Sequence, residues 1–236
     1  MGHISPVDLT TWPKDIASAM STQNLLREKI RTYDDDFSSI KLIVGIDVSY
    51  DIYSNTCFAF IVVTELPNLK PKCFMTARLA ITFPYIPGFL SFREIPVIMA
   101  ALSQLTEKPD LLMVDGQGIA HPRRFGIASH LGVLTDLPTI GIAKSRLVGY
   151  YEEPRNQKGA KAFLFDGEEH IGTVLRSQDN MLPIFISPGH RISQDTAVDI
   201  AIQCLKFHRL PEPMRLADKL AKQRPLEESD IFFTRR

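Results

Sequence analysis

Leu42-Ile43-Val44-Gly45-Ile46-Asp47-Val48 is an apolar run with one carboxylate set into it. Apolar residues on both faces predict a central strand. Leu111-Leu112-Met113-Val114-Asp115 is a second such run, and it too ends on an acid. An ionised carboxylate leaving an apolar strand needs a cation or hydrogen-bond donors to offset its desolvation.

Reading outward from Asp47, Thr56 to Leu66 and Lys72 to Phe83 are two further strands, joined by the turn-like Pro67-Asn68-Leu69-Lys70-Pro71. Short connections make these first three strands antiparallel. The order then switches. Ile95, Ile98, Met99 and Leu102 follow helical spacing, with Pro96 suited to the first turn. Leu111 to Asp115 is the fourth strand, Pro122 to Leu134 a helix, and Pro138 to Ala143 the fifth strand. Alternating strands and helices favour parallel pairing. Gly149 to Gly167 reads as a polar insertion or long hairpin, followed by weaker strands at Glu169 to Arg176 and Pro183 to Ser187. Ser193 caps a helix lined by Val198, Ala201, Ile202 and Leu205, and a last helix spans about Met214 to Gln223.

Upstream, Lys14 to Arg31 is an amphipathic helix with Ile16, Ala19, Met20, Leu26 and Ile30 near one face. Tyr33-Asp34-Asp35-Asp36 ends it as a solvated turn. The expectation is one α/β domain over residues 1–236, with its core about 14–223 and a loosely held tail from Arg224.

Composition narrows the class. The 236 residues are 44% hydrophobic and 23% charged, ordinary for a folded chain. With 27 basic and 27 acidic residues the net charge is zero, which excludes coating of nucleic acid or membrane by bulk attraction. Local patches can still act. Cys57, Cys73 and Cys204 form no CxxC pair, so a disulfide framework or zinc site is not expected, and reduced thiols suit the cytoplasm. Met1 to Lys14 shows no secretory signal, and no apolar run has membrane-spanning length.

The acids carry the chemistry. Glu94 lies between Pro84-Tyr85-Ile86-Pro87-Gly88-Phe89-Leu90 and the helix-like stretch, where it either caps the helix or stays ionised for a metal. Asp47, Asp115 and Glu94, if they converge, repel one another unless a cation such as Mg2+ lies between them. Mg2+ with carboxylates most often serves phosphate chemistry. Gly116-Gln117-Gly118 after Asp115 allows a sharp turn and close approach of a ligand. His121-Pro122-Arg123-Arg124 puts two arginines in a first helical turn, against the macrodipole; a bound phosphate or nearby acids would compensate. Lys144 leaves the fifth strand, where it either balances acids or is a surface lysine. The two prolines around Tyr85 and Ile86 stiffen a loop able to wedge a duplex open, or simply to pack on the core.

Gly45-Ile46-Asp47-Val48, PYIPGFLSFRE ending at Glu94, VDGQGIAHPRR from Val114, PTIGIAK ending at Lys144, Ser187-Pro188-Gly189-His190-Arg191 and Leu210-Pro211-Glu212-Pro213 together resemble the endonuclease V family. The resemblance runs from about Leu42 to Ala221. It implies a ribonuclease H-like mixed sheet flanked by helices, and a Mg2+-dependent DNA repair nuclease, with Mn2+ able to substitute. The implied substrate is DNA bearing deoxyinosine, cut at the second phosphodiester bond 3′ to the lesion, leaving a 3′-OH and a 5′-phosphate; some members of the family also cut inosine-containing RNA. By that pattern Asp47, Asp115, Glu94 and Asp218 attend the metal, and Lys144 and His121 support phosphate and water. Tyr85, with Pro84, Ile86 and Pro87, forms the wedge. Gly88, Gly116 and Gly118, with Arg123 and Arg124, line the lesion and strand; Gln117, in the same loop, departs from the pattern, standing where the family carries His or Asn. A monomer in the cytoplasm, with no membrane partner, is expected. A related nuclease of hybrids or branched DNA would share the acids but not the wedge.

Overall fold

The computed structural model describes residues 4–223. The elements are α1 (Ile16–Arg27), β1 (Leu42–Asp51), β2 (Thr56–Glu65), β3 (Lys70–Ala80), α2 (Leu90–Leu102), β4 (Leu111–Asp115), α3 (Ile127–Thr135), β5 (Thr139–Ala143), β6 (Lys161–Asp166), β7 (Glu169–Leu175), β8 (Ile184–His190), α4 (Gln194–Gln203) and α5 (Glu212–Lys222). One eight-stranded sheet runs β3-β2-β1-β4-β5-β8-β7-β6. β1, β2 and β3 are antiparallel, and β1, β4 and β5 are parallel, as expected. From β8 onward the pairing returns to antiparallel, and the polar stretch after Gly149 supplies the edge strand β6.

Residue parity along β1 sets the two faces. Val44 and Ile46 join Ile98, Leu102 and Leu131 in the core under α2 and α3. Ile43 joins Met113, Ile142, Ala201 and Met214 in the core under α4 and α5. Gly45 is on this second face because α5 leaves no room for more. A Cβ there would sit 2.2 Å from the Pro213 carbonyl carbon.

Several local expectations change. The first helix is shorter than Lys14 to Arg31, because Asp15 caps it by accepting from Ser18 N at 2.8 Å. Its buried face is Ala19 and Gln23, while Ile16 and Met20 are 46% and 41% exposed. The acidic turn is not idle: exposed Asp34 accepts from Ser193 N at 2.7 Å, and half-buried Asp35 pairs with Arg191. Helix α2 begins at Leu90, so Glu94 and Pro96 lie inside it rather than at its start. Pro96 has no N–H for the carbonyl of Phe92. The indole N–H of Trp12 donates to that carbonyl at 2.8 Å. Cys57 pairs in register with Leu79, and Cys73 with Val63, so the two thiols are well separated and free. The expected loose tail from Arg224 lies outside the described residues.

Candidate active site

The parallel ladder between β1 and β4 ends at the pair Ile46 and Val114. Asp47 and Asp115 are the next residues on neighbouring strands, about 5 Å apart by strand spacing. Asp47 is therefore mid-strand in β1, and it becomes site-facing because its parallel neighbour stops there. Both continue the parity of Gly45 and Met113 and face α5. From that helix Asp218 reaches the same end of the sheet. The ammonium of Lys144, just past β5, lies 2.6 Å from Asp115 Oδ2 and 2.9 Å from Asp218 Oδ1. Asp218 Oδ2 also pairs with Lys222 at 2.6 Å.

Glu94 comes from the opposite face, on α2, and is only 7% exposed. Tyr50, three residues after Asp47 and of opposite parity, donates its phenol hydrogen to Glu94. Arg93 lies over the Tyr50 ring, 4.6 Å from its centre.

The electrostatics call for positive charge. Burial, then the charge of Asp115, raise the Asp47 carboxyl to about 7. Burial raises Glu94 to about 8, against the pull of the Tyr50 hydrogen bond. Lys144 is partly buried, yet Asp115 and Asp218 hold its pKa above the ordinary lysine value. Among the described residues no three acid, imidazole or thiol groups converge tightly enough to enclose an ion. The acids do approach one another: Asp47 and Asp115 lie within hydrogen-bond reach, Lys144 bridges Asp115 and Asp218, and Tyr50 holds Glu94 nearby. The donor set suits a hard cation: it is all carboxylate oxygen, and Lys144 neutralises only part of its charge.

Asp47, Glu94 and Asp115 line a cleft of about 330 Å³. Tyr85, Ile86, Pro87 and Gly88 form another part of its wall, with Gly116, Gln117, His121 and Lys144. Tyr85 is 67% exposed. Its loop is held at both ends, because Phe83 and Phe89 are buried with Phe92 in one aromatic cluster. Phe89 thus belongs to the core and not to the loop's exposed tip. The Gly88 carbonyl accepts from Arg123 Nη2 at 2.6 Å, from Gln23 Nε2 at 3.0 Å and from His121 Nε2 at 3.1 Å.

That hub changes the reading of His121-Pro122-Arg123-Arg124. Helix α3 begins at Ile127, so neither arginine sits in a helical turn and no macrodipole opposes them. Arg123 clamps Gly88 and lies 4.2 Å from the centre of the Phe89 ring. Arg124, in a left-handed conformation at φ 54°, pairs with Asp166 at 2.8 Å and Glu169 at 2.7 Å. His121 Nδ1 accepts from Arg123 N at 3.2 Å, so its proton is on Nε2 and goes to Gly88. Both ring nitrogens are engaged, and burial and Arg123 lower its pKa to about 4. In this arrangement His121 positions the wedge and has no nitrogen free for water or phosphate.

The glycine loop divides. Gly116, at φ +144°, lies in the cleft wall, but Gly118 faces β8, where a Cβ would meet the Pro188 oxygen at 2.1 Å. Gln117 donates to Ser145 O at 3.0 Å. Sequence reasoning missed Tyr50, whose tyrosine pattern on β1 gives no signal, and Gln23, hidden on a face read as apolar.

A family model described as Endonuclease V matches residues 24–219. The chain belongs to the endonuclease V family. It is thereby a nuclease. Endonuclease V of Alkalilimnicola ehrlichii is 49% identical over 213 residues, covering 90% of this chain and 94% of that protein. The crystal structure of endonuclease V from Streptomyces avermitilis superposes with a TM-score of 0.86 at 38% identity, over 94% of this chain and 97% of that one. The Ciona intestinalis endonuclease V structure, a complex with a 24mer DNA containing an inosine followed by a ribo-adenosine, gives 0.78 at 32% identity, over 88% and 96%. The α/β mixed sheet expected from sequence is the architecture these endonuclease V structures share.

Proposed function

We propose that this endonuclease V is a Mg2+-dependent DNA repair enzyme, with Mn2+ able to substitute. Its substrate is DNA carrying deoxyinosine, and it hydrolyses the second phosphodiester bond 3′ to the lesion, leaving a 3′-OH and a 5′-phosphate. One observation carries the reading: a stiff loop with an exposed Tyr85 shares a single cleft with Asp47, Glu94 and Asp115. A lesion opened by the loop lies beside the acids.

Asp47, Asp115 and Glu94, with Asp218, would hold the metal. When bound, the ion supplies the charge that activates a water and offsets the leaving 3′ oxygen. Lys144 keeps Asp115 and Asp218 in place and balances their charge. Tyr85, backed by Pro84, Ile86 and Pro87, enters the base stack and fills the gap left by the extruded base. Backbone groups at Gly88 and Gly116, and the Gln117 amide, form the pocket that reads hypoxanthine; Gly118, Arg123 and Arg124 support that wall from behind. The Ciona relative's inosine-containing DNA supports deoxyinosine as the lesion, and inosine-containing RNA is the second substrate class to test. The described residues contain no helix long and apolar enough to cross a membrane. We read the enzyme as a cytoplasmic monomer.

The test is an end-labelled duplex with one deoxyinosine, incubated with Mg2+ or EDTA and mapped to the nucleotide. A Mg2+-dependent nick at the second 3′ bond, lost in Asp47→Ala and Asp115→Ala, is expected. Normal cleavage by Asp47→Ala overturns the assignment. Cleavage of hybrids or branched DNA but not of the lesion duplex keeps the nuclease and refutes its target.

A further inference from the structure

The sequence Lys206-Phe207-His208-Arg209, between α4 and α5, sets an aromatic ring among cations. Phe207 is 86% exposed. A phenyl ring in water forgoes the burial that usually stabilises it. A slack loop would explain that cheaply, but this loop is pinned. Gln178 Nε2 donates to Lys206 O at 2.9 Å and to His208 O at 3.3 Å. Ser177 Oγ donates to Arg209 O at 2.6 Å. Arg209 in turn donates to Leu182 O at 2.9 Å, Pro183 O at 2.7 Å and Lys144 O at 2.6 Å. Carbonyls on both sides of Phe207 are fixed while the ring stays in solvent.

The bond to Lys144 ties this loop to the acid cluster. The Arg209 guanidinium is close enough to Asp115 for that carboxylate to act on it. The cluster itself repels a polyanion, so a strand crossing it needs cations on its flank. The loop provides them. A fixed aromatic beside cations is how proteins hold unpaired bases without reading their sequence.

We propose that the Lys206–Arg209 loop is a second contact for the substrate strand, in which Phe207 stacks on an unpaired nucleobase and Lys206 and His208 meet phosphates. The occupant rests on the nuclease reading above; the loop is outside the lesion cleft. Its role is to hold the strand taut across the acids while Tyr85 works at the lesion.

The experiment measures binding, separately from cleavage, by fluorescence anisotropy of a labelled single-stranded deoxyinosine oligonucleotide with full-length protein and no added metal. Phe207→Ala is expected to weaken binding roughly 5- to 150-fold with an unchanged salt slope, and Phe207→Trp to restore it. Lys206→Ala is expected to lower the salt slope by about 0.7, the contribution of one phosphate contact on a single strand. Unchanged affinity in Phe207→Ala, with wild-type cleavage intact, overturns the proposal and leaves the ring to a protein partner. Equal losses in Phe207→Ala and Phe207→Trp overturn stacking. A wild-type protein that binds the strand through Phe207 but cuts no inosine substrate keeps the contact and refutes the function proposed above. Melting curves show that each variant is folded.

Discussion

Arg123 donates to the carbonyl of Gly88 at 2.6 Å while its guanidinium covers the ring of Phe89. One side chain thereby fixes the backbone and the aromatic anchor at the end of the wedge. Its Nε also donates to Gln23 Oε1 at 2.6 Å, which recruits α1 to the same point.

Loss of that clamp should loosen the wedge without touching the acids. Arg123→Ala removes charge-assisted bonds of about 1.5–3 kcal/mol each, part of which water replaces. The ratio of duplex to single-strand cleavage at deoxyinosine is expected to fall about tenfold. An unchanged ratio would show that the wedge needs no clamp.

Trp12 and Pro96 should be energetically coupled. Trp12→Phe leaves the Phe92 carbonyl without its donor at an expected cost of about 1–3 kcal/mol. Pro96→Ala restores a helical N–H to that carbonyl. The Trp12 substitution should therefore cost less in the Pro96→Ala background, as read by urea unfolding of the four proteins. Strict additivity would rule out the shared carbonyl as the cause.

Gly45→Ala places a methyl against the Pro213 backbone, which cannot yield as a flexible side chain does. Overpacking of this kind costs about 1–3 kcal/mol. Helix α5 moves outward, carrying Asp218 away from Lys144. A lowered melting temperature together with reduced cleavage is expected. Full activity would show that the position of Asp218 does not matter.

His130 should make the fold acid-sensitive. It is fully buried, Nδ1 lies 3.0 Å from Ser91 Oγ, and it stacks on Trp12 at 5.6 Å. Burial lowers its pKa from 6.5 to about 3. Below pH 6.5 the unfolded chain takes up a proton that the folded one refuses. The stability this histidine confers is full above pH 6.5 and falls by up to about 1.4 kcal/mol per pH unit toward pH 3. His130→Asn should flatten this part of the pH dependence of urea unfolding. An identical slope in the variant would assign acid sensitivity elsewhere.

The sequence by itself determined the strands and the cost of their acids. Asp47 and Asp115 stand out because a carboxylate in an apolar run is unfavourable wherever the run packs, and periodicity reports that locally. The alternation after Leu102 foretold parallel pairing for the same reason. Helix boundaries were less legible: Pro96 reads as a first-turn residue until Trp12, eighty positions before Phe92, supplies the missing donor to the Phe92 carbonyl. Arg123 and Arg124 read as ligands of phosphate or of nearby acids, and only the fold chooses, bringing Gly88 to Arg123 and Asp166 and Glu169 to Arg124. Only the tertiary structure decided that Glu94 meets Tyr50, that Lys144 bridges Asp115 and Asp218, and that Tyr85 shares a cleft with Asp47, Glu94 and Asp115. Those relations depend on which face each strand residue presents and on where a neighbouring strand stops, and both are set by packing between segments far apart in the chain.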